Sequence, residues 1–393
     1  MSMKLRVFLS SISLVMLATI ALVGCGHYVC GTTFGSSTCT PSGKGLGSGG
    51  NISQTALVYF MNDAASEIAA EGLNLGGSQA FLTVPNFASP SLPSSTIDYG
   101  LVTVGEKFLY MPLSNQTLYG FTIDTVTGAL TPVSSTQYTV LAPSSIAADP
   151  KGAVLFVGGS AGISAFTIDP TLGTLTLTGS YSTGIAPSQI VTDGLGRYVY
   201  ALSGSSIYAF SYTSGGVLTA LGNPISSQGM AQIAGEASGN YIIGITAEDG
   251  AGGGVVDNHL YVFTIGSGGA PVSPAVSYLT GNSPVYLAVS PNGKFVYTFN
   301  ELIVQTLATA QPIEGYALIG GVPTALGSSP FTNFTMTIGK FDQSGQYLFT
   351  QGSVSGVGGS WALSADPAAG GLTSTIAHLS APSVSFAVTD VPQ

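Results

Sequence analysis

Three features of this chain predict an all-β fold closed into a seven-bladed propeller. A unit of four short strands recurs, its strands grade from small to alternating, and the last copy is too short to be complete. The clearest copy runs from Pro143 to Thr178, PSSIAADPKGAVLFVGGSAGISAFTIDPTLGTLTLT. Its first strand, Ser145-Ile146-Ala147-Ala148, is small and ends in Asp149-Pro150-Lys151-Gly152, where Pro and Gly are placed for a reversal. Val154 to Val157 is a continuous apolar run, as expected of a strand covered on both faces. Ile163 to Ile168 leads into a second turn, Asp169 to Gly173, and Thr174 to Thr178 then alternates, as a strand with one wet face does. This gradient suits a blade whose first strand crowds the axis and whose fourth lies on the rim.

The other copies follow in order. First strands are expected at Ser95-Thr96-Ile97, Pro143 to Ile146, Pro187 to Ile190, Met230 to Ile233, Pro284 to Leu287, Phe334 to Met336 and Pro382 to Val384. Their spacing of roughly 42 to 55 residues is that of propeller blades. Second strands fall in register at Lys107 to Tyr110, Arg197 to Tyr200, Lys294 to Tyr297 and Gln346 to Phe349. Turns toward the fourth strand recur at Gly128-Ala129-Leu130-Thr131 and Gly215 to Thr219, with Gly supplying a positive φ. The seventh start leaves room for one strand, Ser385 to Thr389. The missing three are expected from Leu57 to Phe60, around Ile68, and from Phe81 to Val84. Closing the ring with both ends removes open sheet edges. A solenoid is the alternative, but no terminal caps are visible.

Residues 1–24 read as a leader, with Lys4 and Arg6 ahead of an apolar stretch from Val7 to Val23. Leu22-Val23-Gly24-Cys25 resembles the bacterial lipobox. The resemblance implies cleavage before Cys25, a thioether-linked lipid on its sulfur and an acylated (palmitate-bearing) N-terminus. More than one acyl chain is what durable anchoring needs. Gly26, rather than Asp, implies the outer membrane, on its periplasmic or surface face. The alternatives are an ordinary signal peptide or a plain membrane anchor. Cys30 and Cys39, in an exported chain, suggest a disulfide. Thr40 to Gln54 is rich in Gly and Ser and reads as a tether, so that 25–54 links the lipid to a body at 55–393.

Composition narrows the function. Only 7% of residues are charged, with 18 acidic against 8 basic, and two of the basics lie in the leader. Phosphate binding needs clustered Lys or Arg, so a nucleic-acid partner is excluded. Past the leader there is no apolar run of about 18 residues, and a second membrane span is not expected. No P-loop, HExxH, paired-Cys signature or Ser-His-Asp order is present in the body, and neither metal nor cofactor is expected.

Pro291-Asn292-Gly293-Lys294-Phe295-Val296-Tyr297 and its copies resemble the YVTN-type repeats of the seven-bladed, lactonase-like (6-phosphogluconolactonase-like) group. The resemblance covers the body and implies the propeller. It also implies Pro-Arg-His on one inner strand and Asn-Glu-Leu after the next. Here those places read Pro284-Val285-Tyr286 and Asn300-Glu301-Leu302, so Glu301 is kept and the Arg and His are not. Ring opening needs an acid or base near neutral pKa and a donor for the oxyanion. Glu301 is the candidate. Arg197, the body's only arginine, and His259 and His378, on or before outer strands, lie away from the axis.

Other polar residues read as architecture. Asp149, Asp193 and Asp342 occupy first-to-second strand turns, where Asp bonds its own backbone. Trp361 opens an apolar third strand and reads as packing. The second-to-third strand connections are long in three consecutive blades, Ala247–Asn258, Glu301–Gln311 and Gly352–Gly359. All emerge on one face, where Glu248, Asp249, Asp257, Glu301 and Tyr286 are candidate ligand residues; neutral drift of surface loops is the alternative. The leading reading is a monomeric, lipid-anchored envelope propeller that binds a small molecule or an envelope protein as a scaffold. A lactone hydrolase with a non-standard site is the second reading. A surface protein adhering to polysaccharide is the third.

Overall fold

The computed structural model describes residues 28–30, 39–41, 54–62, 65–74, 80–84, 88–94, 96–125, 127–133, 138–246, 258–272, 276–280, 284–300, 313–327, 334–354, 357–379 and 386–390. Apart from a small hairpin, Tyr28–Cys30 against Cys39–Pro41, the strands form seven antiparallel sheets. Numbered by their inner strands, the blades begin at Val102–Val104, Ser145–Ala148, Gln189–Thr192, Met230–Gly235, Pro284–Val289, Phe334–Phe341 and Phe386–Asp390. In blades one and three the outer edge is broken into two short pieces. The expected gradient is present. In blade two the inner strand is half-buried, Val154–Gly159 is buried throughout, and Leu175–Tyr181 is largely wet.

The ring closes with its two ends in one blade. The innermost strand of blade seven, Phe386–Asp390, pairs with Gln54–Asn62, setting Val58 opposite Val388. Glu67–Asn74 and Ala80–Thr83 complete that sheet from the N-terminal side. Each inner strand ends in a tight turn on what we call the lower face. The second-to-third strand connections and the passages between blades lie on the upper face. No helix among the described residues is long and apolar enough to cross a membrane.

Seven apolar clusters fill the seven seams between neighbouring blades. They arise because the second strands are apolar on both faces and the third strands add an apolar residue every second or third position. Fully burying one such side chain contributes about 1.5–3 kcal/mol. One slot recurs in every seam. A third-strand residue lies directly across the ladder from an apolar second-strand residue: Phe121 from Leu109, Phe166 from Leu155, Phe210 from Val199, Phe263 from Ile242, Tyr316 from Val296 and Leu363 from Leu348. In blade seven the same slot, opposite Val58, holds Glu71.

A tyrosine clasp ties four of the seams. The second-strand hydroxyls of Tyr59, Tyr110, Tyr200 and Tyr297 donate to the carbonyls of Gly128, Gly173, Gly269 and Gly370, each in the third-to-fourth strand turn of the next blade. Burial first, and then a nearby carboxylate, pushes all four phenols up, which keeps them donors. Blade two has Phe156 at this position, and there Thr178 Oγ1 donates to Gly216 instead.

Two expectations need correction. Blade one does not open at Ser95-Thr96-Ile97. Near there only a single bridge forms, Asp98 to Leu113, and continuous pairing starts at Val102 after Gly100, whose φ of 119° turns the chain. Gly352–Gly359 is no long loop either. Its small residues keep pairing, Gly352 with Gly359, Ser353 with Gly358 and Val354 with Val357, so blade six extends as a hairpin.

Candidate functional site

Inner strands run from the upper face to the lower, so the upper end of each forms the channel mouth. In blades four, five and six that end carries a β-bulge at the same level, between Met230 and Gln232, Pro284 and Tyr286, and Met336 and Ile338. The extra residues are Ala231, Val285 and Thr337. Blades two and three pair without one. A bulge re-aims a side chain and disrupts the ladder locally, and bulges cluster beside functional sites.

Tyr286 lies at this mouth on the inner strand of blade five. It is half-buried, its ring edge-on to Phe299 at 6.0 Å, and it packs against the seam between blades five and six. Burial pushes its phenol up to about 12, so at neutral pH it is a hydrogen-bond donor and not a base. Asn300, fully buried, ends the second strand of the same blade on the upper face. Glu301 follows it but lies outside the described residues, as do Glu248, Asp249 and Asp257. Asn258, the first described residue after Asp257 in the sequence, donates from Nδ2 to the Thr280 carbonyl at 2.9 Å, and Thr280 Oγ1 donates to the Asn258 carbonyl at 2.8 Å. This exchange ties the foot of the long blade-four connection to the passage into blade five.

Below the mouth, side chains stitch each inner strand to the backbone of its neighbour. Ser144 Oγ donates to the Pro187 carbonyl, Gln189 Oε1 accepts from Ile233 N at 2.7 Å, and Gln232 Oε1 accepts from Leu287 N at 3.0 Å. Thr103 Oγ1 donates to the Val388 carbonyl. Lys340 is the one cation in this collar among the described residues. Its Nζ donates to Phe386 O at 2.6 Å and to Leu101 O at 3.2 Å, bridging blades six, seven and one. Burial pulls it down to about 8, partly opposed by Asp98. The sequence reading missed this lysine, whose signal is a lone charge in the otherwise uncharged inner strand FTMTIGKF.

The turn acids are architectural, as expected. Asp193 is fully buried and accepts from Arg197 N, Tyr198 N and Arg197 Nε. Asp149 accepts from Ala153 N and Tyr212 Oη, and Asp342 from Tyr347 N. Glu236 performs the same capping in blade four, accepting from Ser238 N and Asn240 N. His259 begins the third strand of blade four, and Trp361, inside rather than opening its strand, packs on the seam between blades five and six. No group of three His, Cys, Asp or Glu suited to a metal occurs among the described residues. Cys30 and Cys39 face each other in backbone register across the N-terminal hairpin. Cys25 and residues 1–24 lie outside the described residues.

Residues 109–238 match the family described as Lactonase, 7-bladed beta-propeller. None of the curated proteins compared matches the chain. Solved structures do. A periplasmic gluconolactonase of Pseudomonas aeruginosa is 15% identical, over 86% of this chain and 99% of that one, with a TM-score of 0.63. A protein from Lactobacillus plantarum is 13% identical over the same shares, with a TM-score of 0.62. A candidate 6-phosphogluconolactonase of Bacteroides uniformis is 19% identical over 72% and 82%, with a TM-score of 0.53. At these identities the likeness to solved structures is one of fold. The chain is a seven-bladed β-propeller of lactonase-like architecture, with the family match carried by residues 109–238.

Proposed function

We infer that this lactonase-like propeller receives a cyclic ester or related sugar acid at the channel mouth beside blades four to six. An N-terminal lipid on Cys25 holds it at the outer membrane of a bacterial envelope. The observation that carries the reading is the run of three bulges at one level in consecutive blades, next to the strand end that Glu301 follows. Three repeated losses of ladder pairing at one mouth favour a shaped opening over drift.

Binding without turnover is favoured by Val285 and Tyr286, which stand where the lactonase pattern has Arg and His. An aliphatic side chain offers nothing to a developing oxyanion, and a phenol held near 12 is no base. The protein then works as a scaffold for a small ligand or for an envelope partner. The second reading, a lactone hydrolase with Glu301 as base, is favoured by the family match and by the retained Asn300-Glu301-Leu302.

One panel separates the two. Calorimetry and pH-stat assays with gluconolactones and their open acids should give saturable binding that weakens in Tyr286→Phe. Turnover abolished by Glu301→Gln selects the hydrolase. Neither binding nor turnover across the panel overturns both. For the anchor, labelled palmitate should enter the wild-type protein and be absent from Cys25→Ser; equal labelling contradicts the lipid site.

A further inference from the structure

The seam between blades six and seven, where strands from the N-terminal side pack on blade six, is built differently from the other six. In those, the third-strand slot holds Phe, Phe, Phe, Phe, Tyr or Leu. In blade seven it holds Glu71, which shares a strand face with Ala69 and Leu73, the face packed on Phe349 and Ala362 of blade six. Glu71 is only 5% exposed, and its Oε2 has no hydrogen-bond partner. An ionised carboxylate with an oxygen cut off from water and donors is disfavoured, whereas the protonated acid is tolerated as a small polar group.

We propose that Glu71 is a proton-controlled latch on ring closure: neutral, it fills the last seam, and ionised, it drives blades six and seven apart. Val58 and Phe60 of its own blade, and Phe349 and Ala362 opposite, are uncharged. Among the described side chains of the packed elements, the titratable ones are Tyr347 of blade six, a phenol pushed up by burial and then by Asp342, and Lys340, whose ammonium lies over the Phe386 ring on the inner strand. Glu67 is exposed where the Glu71 strand begins. Burial alone accounts for the Glu71 carboxyl standing at about 8 instead of its ordinary 4.5.

The sign follows from linkage. The closed seam holds the Glu71 proton up to about pH 8, and the opened seam releases it from about 4.5. Opening therefore becomes easier by about tenfold per pH unit between roughly 5 and 8, then levels off. Lys340 acts in a different window, above pH 8, and with the opposite sign.

The test is native-state hydrogen exchange on the full chain from pH 5 to 9, with rates corrected for intrinsic base catalysis. Protection of the Leu57–Met61 and Phe386–Val388 amides should fall by about tenfold per unit up to pH 8, while blades two to five stay flat. Glu71→Gln keeps the shape and removes the charge, so it should hold protection constant across the range. Glu71→Leu, which copies the blade-six slot, should do the same and covers the case in which the Gln variant folds poorly. An unchanged pH profile in either folded variant, or a wild-type loss spread evenly over all blades, would overturn the proposal.

Discussion

Replacing Tyr200 with Phe keeps the ring and deletes one hydroxyl. That hydroxyl donates to the Gly269 carbonyl at 2.8 Å across the seam between blades three and four, and Tyr200 is fully buried. The net worth of such a bond is about 0.5–1.5 kcal/mol, but a carbonyl left unsatisfied in a dry seam raises the loss toward the 1–3 kcal/mol range. Tyr200→Phe should therefore destabilise by about 1–2 kcal/mol. The receiving turn has little freedom to compensate. Gly269 has φ of 89°, and a Cβ there would sit 2.2 Å from the Tyr198 ring. Blade two supplies the internal control. Phe156 occupies the same position, and the Gly216 carbonyl already accepts from Thr178 Oγ1 at 3.1 Å. Phe156→Tyr should give no gain in stability, because the added hydroxyl enters a filled seam whose acceptor is engaged. Urea midpoints at constant slope measure the global cost, and exchange of the Gly269 amide, which bonds the Gly266 carbonyl, localises it. A Tyr200→Phe protein as stable as wild type, with unchanged exchange at Gly269, would refute the clasp as a working contact.

Two further outcomes follow from the collar and the turns. Lys340 stands at about 8 in the folded protein against an ordinary 10.5, so between those values the unfolded chain binds more protons and stability rises with pH. The rise is up to roughly 3 kcal/mol. It should be read as the difference between wild type and Lys340→Met, since the raised phenols add an opposing fall from about pH 10; no difference between the two from pH 8 to 9.5 contradicts the assignment. Asp193→Ala removes a fully buried carboxylate from two backbone amides and the Arg197 guanidinium, and should cost about 3 kcal/mol or more in urea unfolding. Asp193→Asn, which keeps one acceptor oxygen, should cost less.

The ring and its closure were legible because they depend on patterns within single strands. Alternation and turn residues place Val154–Gly159 and Tyr198–Ser203, and the shortage of strands after Pro382 forces Phe386–Asp390 to pair with Gln54–Asn62. Blade one was misplaced because Asp98-Tyr99-Gly100 breaks the inner strand just where composition suggests its start. Gly352–Gly359 reads as a loop by composition, yet glycine and serine pair as well as valine when two chain segments continue side by side.

The relations between blades were not legible, and the unusual groups lie there. Glu71 in EIAAEGLN looks like one polar position of an alternating strand. Only aligning Tyr59 on Tyr110 through their shared clasp puts it in the phenylalanine slot. Lys340 likewise gains its meaning from two carbonyls in other blades. Of the candidate ligand residues, Tyr286 is the one among the described residues, on the inner strand of blade five. The bulge before it, which spacing cannot reveal, is what distinguishes that strand from those of blades two and three.

The functional account stands on a ligand seated at one place, and a crystal structure of the protein soaked with a gluconolactone or its open acid tests that most directly. The account predicts the ligand at the upper mouth beside Val285 and Tyr286, within reach of Glu301. A ligand lodged on the lower face or the outer rim, with that mouth left empty at saturating concentration, would contradict it.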